Sequence, residues 1–182
     1  MIAASSRDAV LGALRPVAIF VLYQAAWFAC VWGAASGHAL AGIAAVAAAV
    51  AILIAWSRRR EADLRLVGLS VAVGAVWDTL FAASGMIVYA SPGPLPALAP
   101  PWILGMWALF APLLREPLRW LHGRPALSAL LGAIGGPVAY EASARLGACT
   151  FPNPGFALAI LAAEWALVTP LLLAAAQRAG AR

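Results

Sequence analysis

Residues 16–57 read PVAIFVLYQAAWFACVWGAASGHALAGIAAVAAAVAILIAWS, without one Asp, Glu, Lys or Arg between Arg15 and Arg58. The run is long enough for two membrane spans of about 20 residues each, joined by a tight turn at Ser36-Gly37-His38. Outward from it the same alternation continues, and apolar stretches at about 16–35, 39–57, 66–88, 102–121, 126–146 and 156–177 are separated by short polar or proline-rich connections. Backbone polar groups in lipid must be satisfied within their own segment, so each stretch is expected to be helical. The predicted fold is all-α: an integral membrane bundle of six transmembrane helices, forming one domain over residues 1–182. The fourth span is interrupted by Pro112, Arg115, Glu116 and Pro117. Its last turns are expected to lie along the membrane interface, with Trp120 at headgroup level.

All 12 basic residues are Arg. Arg7 and Arg15, then Arg58, Arg59, Arg60 and Arg65, then Arg115, Arg119 and Arg124, then Arg178 and Arg182 flank alternate ends of the spans, and Arg145 alone lies elsewhere. Arginine-rich loops are retained in the cytoplasm, which puts both termini and the 57–65 and 115–125 loops inside. The loops near 36–38, 91–101 and 147–155 are then outside, the proline-rich 91–101 segment acting as a stiff connector. The basic balance needs no nucleic acid to explain it, because anionic cytoplasmic headgroups would meet these arginines. Composition agrees: 64% of residues are apolar and 10% charged, against roughly 45–50% and 25% in soluble domains, whose folds could not cover so much apolar surface. The first fifteen residues lack an apolar core, so the first span is expected to do the targeting.

Three carboxylates fall within the spans, Asp78, Glu141 and Glu164, all in the outer half by residue count, with Gln24 nearer the middle. If the helices bundle, they share an outward-facing pocket. Ser70, Gly74 and Asp78 recur every four residues as a small, polar stripe that should face other helices. Asp78 is therefore the first candidate for a catalytic group, as a proton donor or cation ligand. The competing reading is an interhelical hydrogen bond, for instance to Gln24 or Tyr140. Glu141 precedes Arg145 by one helical turn, a spacing that favours an ion pair near the outer interface. Glu164 has no partner in its own span and must find one across an interface, line a wet cavity or stay protonated. Ser128, Gly132 and Gly136 form a second small-residue stripe, and Gly135-Gly136-Pro137 should kink the helix beside Tyr140 and Glu141.

Of the eight Trp residues, Trp32, Trp56, Trp102 and Trp120 sit near span ends and read as interface anchors. Trp27, Trp77, Trp107 and Trp165 are deeper and could offer ring faces to a cation or carbocation. Cys30 and Cys149 both lie toward the outside, so a disulfide between them is conceivable. His38 and His122 are on opposite sides, which leaves no His/Cys metal set. Phosphate-binding, dinucleotide, nucleophile-elbow and zinc-protease motifs are all missing, and no cofactor is expected.

The runs Gln24-Ala25-Ala26-Trp27-Phe28-Ala29-Cys30, Trp77-Asp78, Pro101-Trp102-Ile103-Leu104 through Trp107 and Phe110, and Leu131-Gly132-Ala133-Ile134-Gly135-Gly136-Pro137 with Tyr140 and Ala144-Arg145-Leu146-Gly147 resemble one multi-pass membrane family over nearly the whole chain. It is domain of unknown function 2878, whose members look like small inner-membrane proteins of Gram-negative bacteria with no established activity. Gln24, Trp27, Asp78, Tyr140 and Arg145 fall within the runs that carry the resemblance and Glu141 and Glu164 outside them, which raises Asp78 and Gln24 above the two glutamates as site candidates. One departure stands out: where the family tends to carry a neutral Asn-His pair after the fourth apolar run, this chain reads Arg115-Glu116-Pro117.

Three functions suit these residues. The favoured one is binding or modification of a lipid or isoprenoid-type molecule at a polar and aromatic pocket in the outer half of the bilayer, built from Gln24, Trp27, Trp77, Asp78, Trp107, Tyr140, Glu141, Arg145 and Glu164. The others are a small proton-coupled transporter and a non-catalytic subunit that packs against itself or another membrane protein.

Overall fold

The computed structural model describes residues 6–181, with side chains from 14 to 179. The arginine markers Arg7 and Arg182 lie outside the described side chains. Six helices carry the chain back and forth: α1 Ser6–Ala35, α2 Ala39–Trp56, α3 Arg60–Ala83, α4 Pro101–Phe110, α5 Pro125–Arg145 and α6 Pro154–Ala181. Four stretches, Leu14–Ala35, Ala39–Trp56, Arg60–Ala83 and Pro154–Ala179, are long and apolar enough to cross a membrane. At 21 residues, α5 is also long enough, but Ser128, its glycines, Glu141 and Arg145 dilute its apolar character. The α1–α2 turn falls at Ser36-Gly37-His38 as expected, with Gly37 at φ 77° supplying the left-handed backbone of the reversal.

Two expected spans end early. The third was expected to run over 66–88, yet α3 stops at Ala83, and Ser84-Gly85 turns the chain with Gly85 at φ 70°. The chain then extends as β1, Val88–Tyr89, which pairs antiparallel with β2, Cys149–Thr150, in the register Val88 to Thr150 and Tyr89 to Cys149. This small ribbon, which the all-helical expectation did not include, ties the α3–α4 and α5–α6 connections together at one end of the bundle. The fourth span was expected over 102–121. Instead α4 has 10 residues, about 15 Å of helix, and continues only as a 3-10 turn over Ala111–Leu114 before a second one at Arg119–Leu121. Pro112 and Pro117 cannot donate the backbone hydrogen bonds that a continuing helix would need. α5, by contrast, runs on through Pro137 without interruption of its assignment.

α1 packs chiefly on α2, and α5 on α6. α4 is central, touching α1, α2 and α3, while α3 also meets α6. The α1–α2 crossing is close because Gly42 leaves no room for a side chain: a Cβ there would stand 2.8 Å from the Cys30 Cα. Leu40, Val76, Leu130, Leu167 and Leu171 point outward with most of their surface uncovered, as suits a bundle whose solvent is lipid. Trp32, Trp56 and Trp120 are more than half exposed near element ends. Trp102 is not an interface anchor. It is buried, donates its indole N–H to the Ser91 carbonyl at 3.0 Å, and meets Tyr89 edge-on.

Candidate functional site

The strand end of the bundle is organised around Asp78, which is 0% exposed. The Ser70-Gly74-Asp78 stripe faces α4 and wraps one residue of it, Trp107. Ser70 Oγ donates to the Trp107 carbonyl at 2.8 Å, Gly74 lies against the indole, and the indole Nε1 donates to Asp78 Oδ2 at 2.6 Å. Two phenols complete the centre, Tyr89 from β1 and Tyr140 from α5, each donating to Asp78 Oδ1 at 2.5 Å. One carboxyl thus joins α3, α4, α5 and the ribbon, with two donors on Oδ1 and one on Oδ2. Tyr140 was one of the two partners anticipated. Gln24, the other, is half-buried and makes no hydrogen bond among the described residues. Tyr89 was missed, although Ile87-Val88-Tyr89 between two turns is β-apt and could have signalled a short strand. Burial, reinforced by the charge of Asp78, holds the Tyr89 phenol well above its ordinary range, so it remains a donor.

Below this centre four helices are laminated through two indoles. Trp107 of α4 and Trp165 of α6 stack with centroids 4.8 Å apart and planes 12° off parallel, and Phe110 meets Trp165 edge-on. Gly74 of α3 lies against Trp107, and Gly136 of α5 against Trp165. A Cβ on either glycine would come within 2.1 Å of a pyrrole-ring atom. Gly132, one turn away, abuts the Trp165 carbonyl at 2.3 Å by the same measure. The two small-residue stripes therefore exist to admit tryptophans.

The remaining candidates divide. Glu164 is 1% exposed and neither of its carboxyl oxygens has a hydrogen-bond partner. It lies near enough to Asp78 and Tyr140 to interact with them electrostatically. Thr169 Oγ1 and Trp165 Nε1 on the same helix are likewise buried without partners. Such groups in a native interior call for water or a ligand. Glu141 does not join this centre. It pairs with Arg145 at 2.8 Å on the surface, one turn along α5, with the Arg145 side chain largely exposed. Trp77 packs on Phe81 at 6.0 Å. The three acids consequently do not share a pocket: two are interior and one is superficial.

A cleft of about 60 Å³ opens beside the Asp78 centre. Tyr23 and Trp27 of α1 form one wall, Met106, Trp107 and Phe110 of α4 the floor, and Tyr140 and Trp165 the other wall. The outer sides of the Asp78 donors are thus its lining. Cys149 also reaches it and is a free thiol, as is Cys30, so no disulfide joins them. Each lies against a different carbonyl, Cys30 against that of Trp102 at 3.6 Å and Cys149 against that of Tyr140 at 3.9 Å. Burial, with Asp78 and Glu141 nearby, pushes the Cys149 thiol up to about 12, which keeps it neutral and unreactive. Among the described residues no three of His, Cys, Asp and Glu gather as metal ligands.

The chain belongs to the family described as protein of unknown function (DUF2878), whose model matches residues 16–171. No curated protein and no solved structure matches it.

Proposed function

We propose that this chain, as a member of that family, is a six-crossing protein of the bacterial inner membrane that binds an isoprenoid- or lipid-type chain in the aromatic cleft between α1 and α5. The observation that carries this reading is the cleft itself: two helices that pack on different neighbours stand apart, and the gap between them is walled by Tyr23, Trp27, Phe110 and Trp165. An apolar chain is the ligand that a membrane offers to such a wall, and flat ring faces hold it without demanding a particular polar group. The size limits the chemistry. About 60 Å³ exceeds the ~10–15 Å³ that one water needs but falls far short of the ~300–1,000 Å³ of sites that enclose a small molecule. The cleft takes the end of a chain whose remainder lies in lipid, which favours binding over modification. Asp78, held by its three donors, acts in this reading as the residue that positions Trp107 and Tyr140 on the cleft wall. Retention of a chain lipid by the purified protein, and its loss when the wall is cut back, is the test.

The arginine loops support an orientation with the 57–65 and 115–125 segments on the cytoplasmic side and the ribbon with Tyr89 outside. The shortness of α4 is compatible with six crossings because the helix is enclosed by its neighbours and need not face lipid along its whole length. Reporter fusions after Gly37 and Asn153 are expected to be active only as periplasmic reporters, and fusions after Asp63 and Gly123 only as cytoplasmic ones. An inversion at Asp63 or Gly123 would overturn the orientation.

A further inference from the structure

A second cavity, larger than the aromatic cleft, lies at the arginine end, has a volume of about 780 Å³, and is bounded by the ends of α1, α2 and α6, the start of α3 and the irregular segment after α4. Its size is within the range of sites that enclose a small molecule or headgroup. Five arginines border it: Arg15, Arg58, Arg59, Arg115 and Arg119. Against them stand two carboxylates, Asp63 and Glu116, and both are engaged: Arg115 pairs with Asp63, and Arg15 with Glu116 at 2.8 Å. Arg58 and Arg119 stand apart from these pairs, so positive charge is in excess in one concave space, where low-dielectric walls focus its field.

The cavity is built as well as charged. The Arg115–Asp63 pair is mostly buried and fixes the irregular segment to α3. Arg15 is held at its tip by Glu116 and by the Trp56 carbonyl at 3.1 Å, while its Nε is buried with no partner. His122 is fixed against the Leu114 carbonyl at 2.8 Å. Arg58 and Arg119 have no ion-pair partner among the described residues and are exposed, so their guanidinium forks are available. The interruption of the fourth span contributes to the shape: the α-helix stops at Phe110, and the irregular segment after it carries Pro112, Arg115, Glu116, Arg119 and His122 along the rim.

We infer that this cavity binds a phosphate-bearing ligand, a phosphomonoester or a diphosphate. Planar guanidiniums bind two phosphate oxygens at once, and a dianion matches the two forks of Arg58 and Arg119 better than a carboxylate does. The inference rests on the cavity alone and stands whether or not a chain occupies the cleft. The same face of α1 nevertheless serves both, with Arg15 and Ile19 on the cavity and Tyr23 and Trp27 on the cleft. The phosphate can therefore belong to a lipid headgroup or to a soluble molecule from the cytoplasm.

The experiment uses the full-length protein in nanodiscs of neutral phosphatidylcholine, with pyrophosphate as the soluble probe and phosphatidic acid added to the discs as the lipid probe. Saturable binding of at least one probe is expected, read by isotherm and by a rise in melting temperature. A response to pyrophosphate assigns a soluble phosphate, and a response to phosphatidic acid alone assigns a headgroup. The Arg58→Gln/Arg119→Gln double variant should bind at least about tenfold more weakly, the loss expected for charge-assisted hydrogen bonds. Arg65→Gln, which removes a charge at the same end but outside the cavity, should bind as the wild type does. Arg119→Lys keeps the charge without the fork and should fall between them. Failure of both probes to saturate, or equal weakening by Arg65→Gln and the double variant, would overturn the site in favour of a diffuse basic surface.

Discussion

Asp78→Leu is expected to lower the stability of the folded bundle by about 3 kcal/mol, read as a drop in melting temperature in mild detergent and a loss of folded yield. The change strands three buried donors, the phenols of Tyr89 and Tyr140 and the indole of Trp107. Interhelical hydrogen bonds in membranes average only ~0.6 kcal/mol each, which sets a floor near 2 kcal/mol for three. Donors left unsatisfied cost ~1–3 kcal/mol each, which raises the expectation above that floor. Asp78→Asn keeps one acceptor oxygen and the shape, and a phenol can rotate to accept from the new amide, so about 1 kcal/mol is expected. Glu164→Gln, at an acid with no hydrogen-bond partner to lose, should stay within ~1 kcal/mol of wild type. If Asp78→Leu melted like Asp78→Asn, the carboxyl would not be the junction of four elements.

The second large effect is at Gly136. Gly136→Ala is expected to cost about 3 kcal/mol, and Gly136→Leu to abolish folding, because the new Cβ lands 2.1 Å from the Trp165 ring and overpacking of a filled core commonly costs ~1–3 kcal/mol or more. A flexible side chain would step aside. Trp165 is instead stacked on Trp107, which Gly74 touches from α3, so relief would require several helices to move. The adjacent Gly135 is the internal control. Nothing lies within 4 Å of its missing Cβ, so Gly135→Ala should be neutral or stabilising by up to ~1 kcal/mol through helix propensity alone. Equal melting temperatures for the 135 and 136 variants would mean that the α5–α6 face is not packed as described.

Much of this was legible because membrane sequences carry strong patterns. The charge-free run from Pro16 to Ser57 defined the end of α1, the turn and α2 nearly to the residue, since its only punctuation is Ser36-Gly37-His38, while α1 itself begins earlier, at Ser6. Four-residue spacing found both stripes, Ser70-Gly74-Asp78 and Ser128-Gly132-Gly136, and correctly turned them inward. It could not say that each admits an indole, because a stripe of small residues records a close approach without naming what approaches. Tyr89 escaped notice because its position depends on a strand pairing with Cys149, 60 positions further along the sequence, and two-residue strands leave only a faint local signature. Trp102 was misplaced by the rule that tryptophans at span ends face headgroups, which fails where a connector such as 91–101 folds back and covers the end. Glu141 and Glu164 look alike in sequence. What separates them is an arginine one turn from the first, and nothing at any helical spacing from the second.

The claim that the aromatic cleft holds an apolar chain is tested most directly by native mass spectrometry of the full-length protein released from mild detergent, compared with Trp27→Ala and Phe110→Ala. Neither residue takes part in the Asp78 network, so both variants should remain folded, each with a loss of up to about 3–5 kcal/mol of packing as the upper limit for a large aromatic truncation. Wild type is expected to carry a chain lipid of defined mass that solvent extraction releases, and both variants to lose most of that occupancy while keeping a cooperative melting transition. A wild-type protein without a bound chain, or variants that retain it at wild-type occupancy, would contradict the assignment of the cleft.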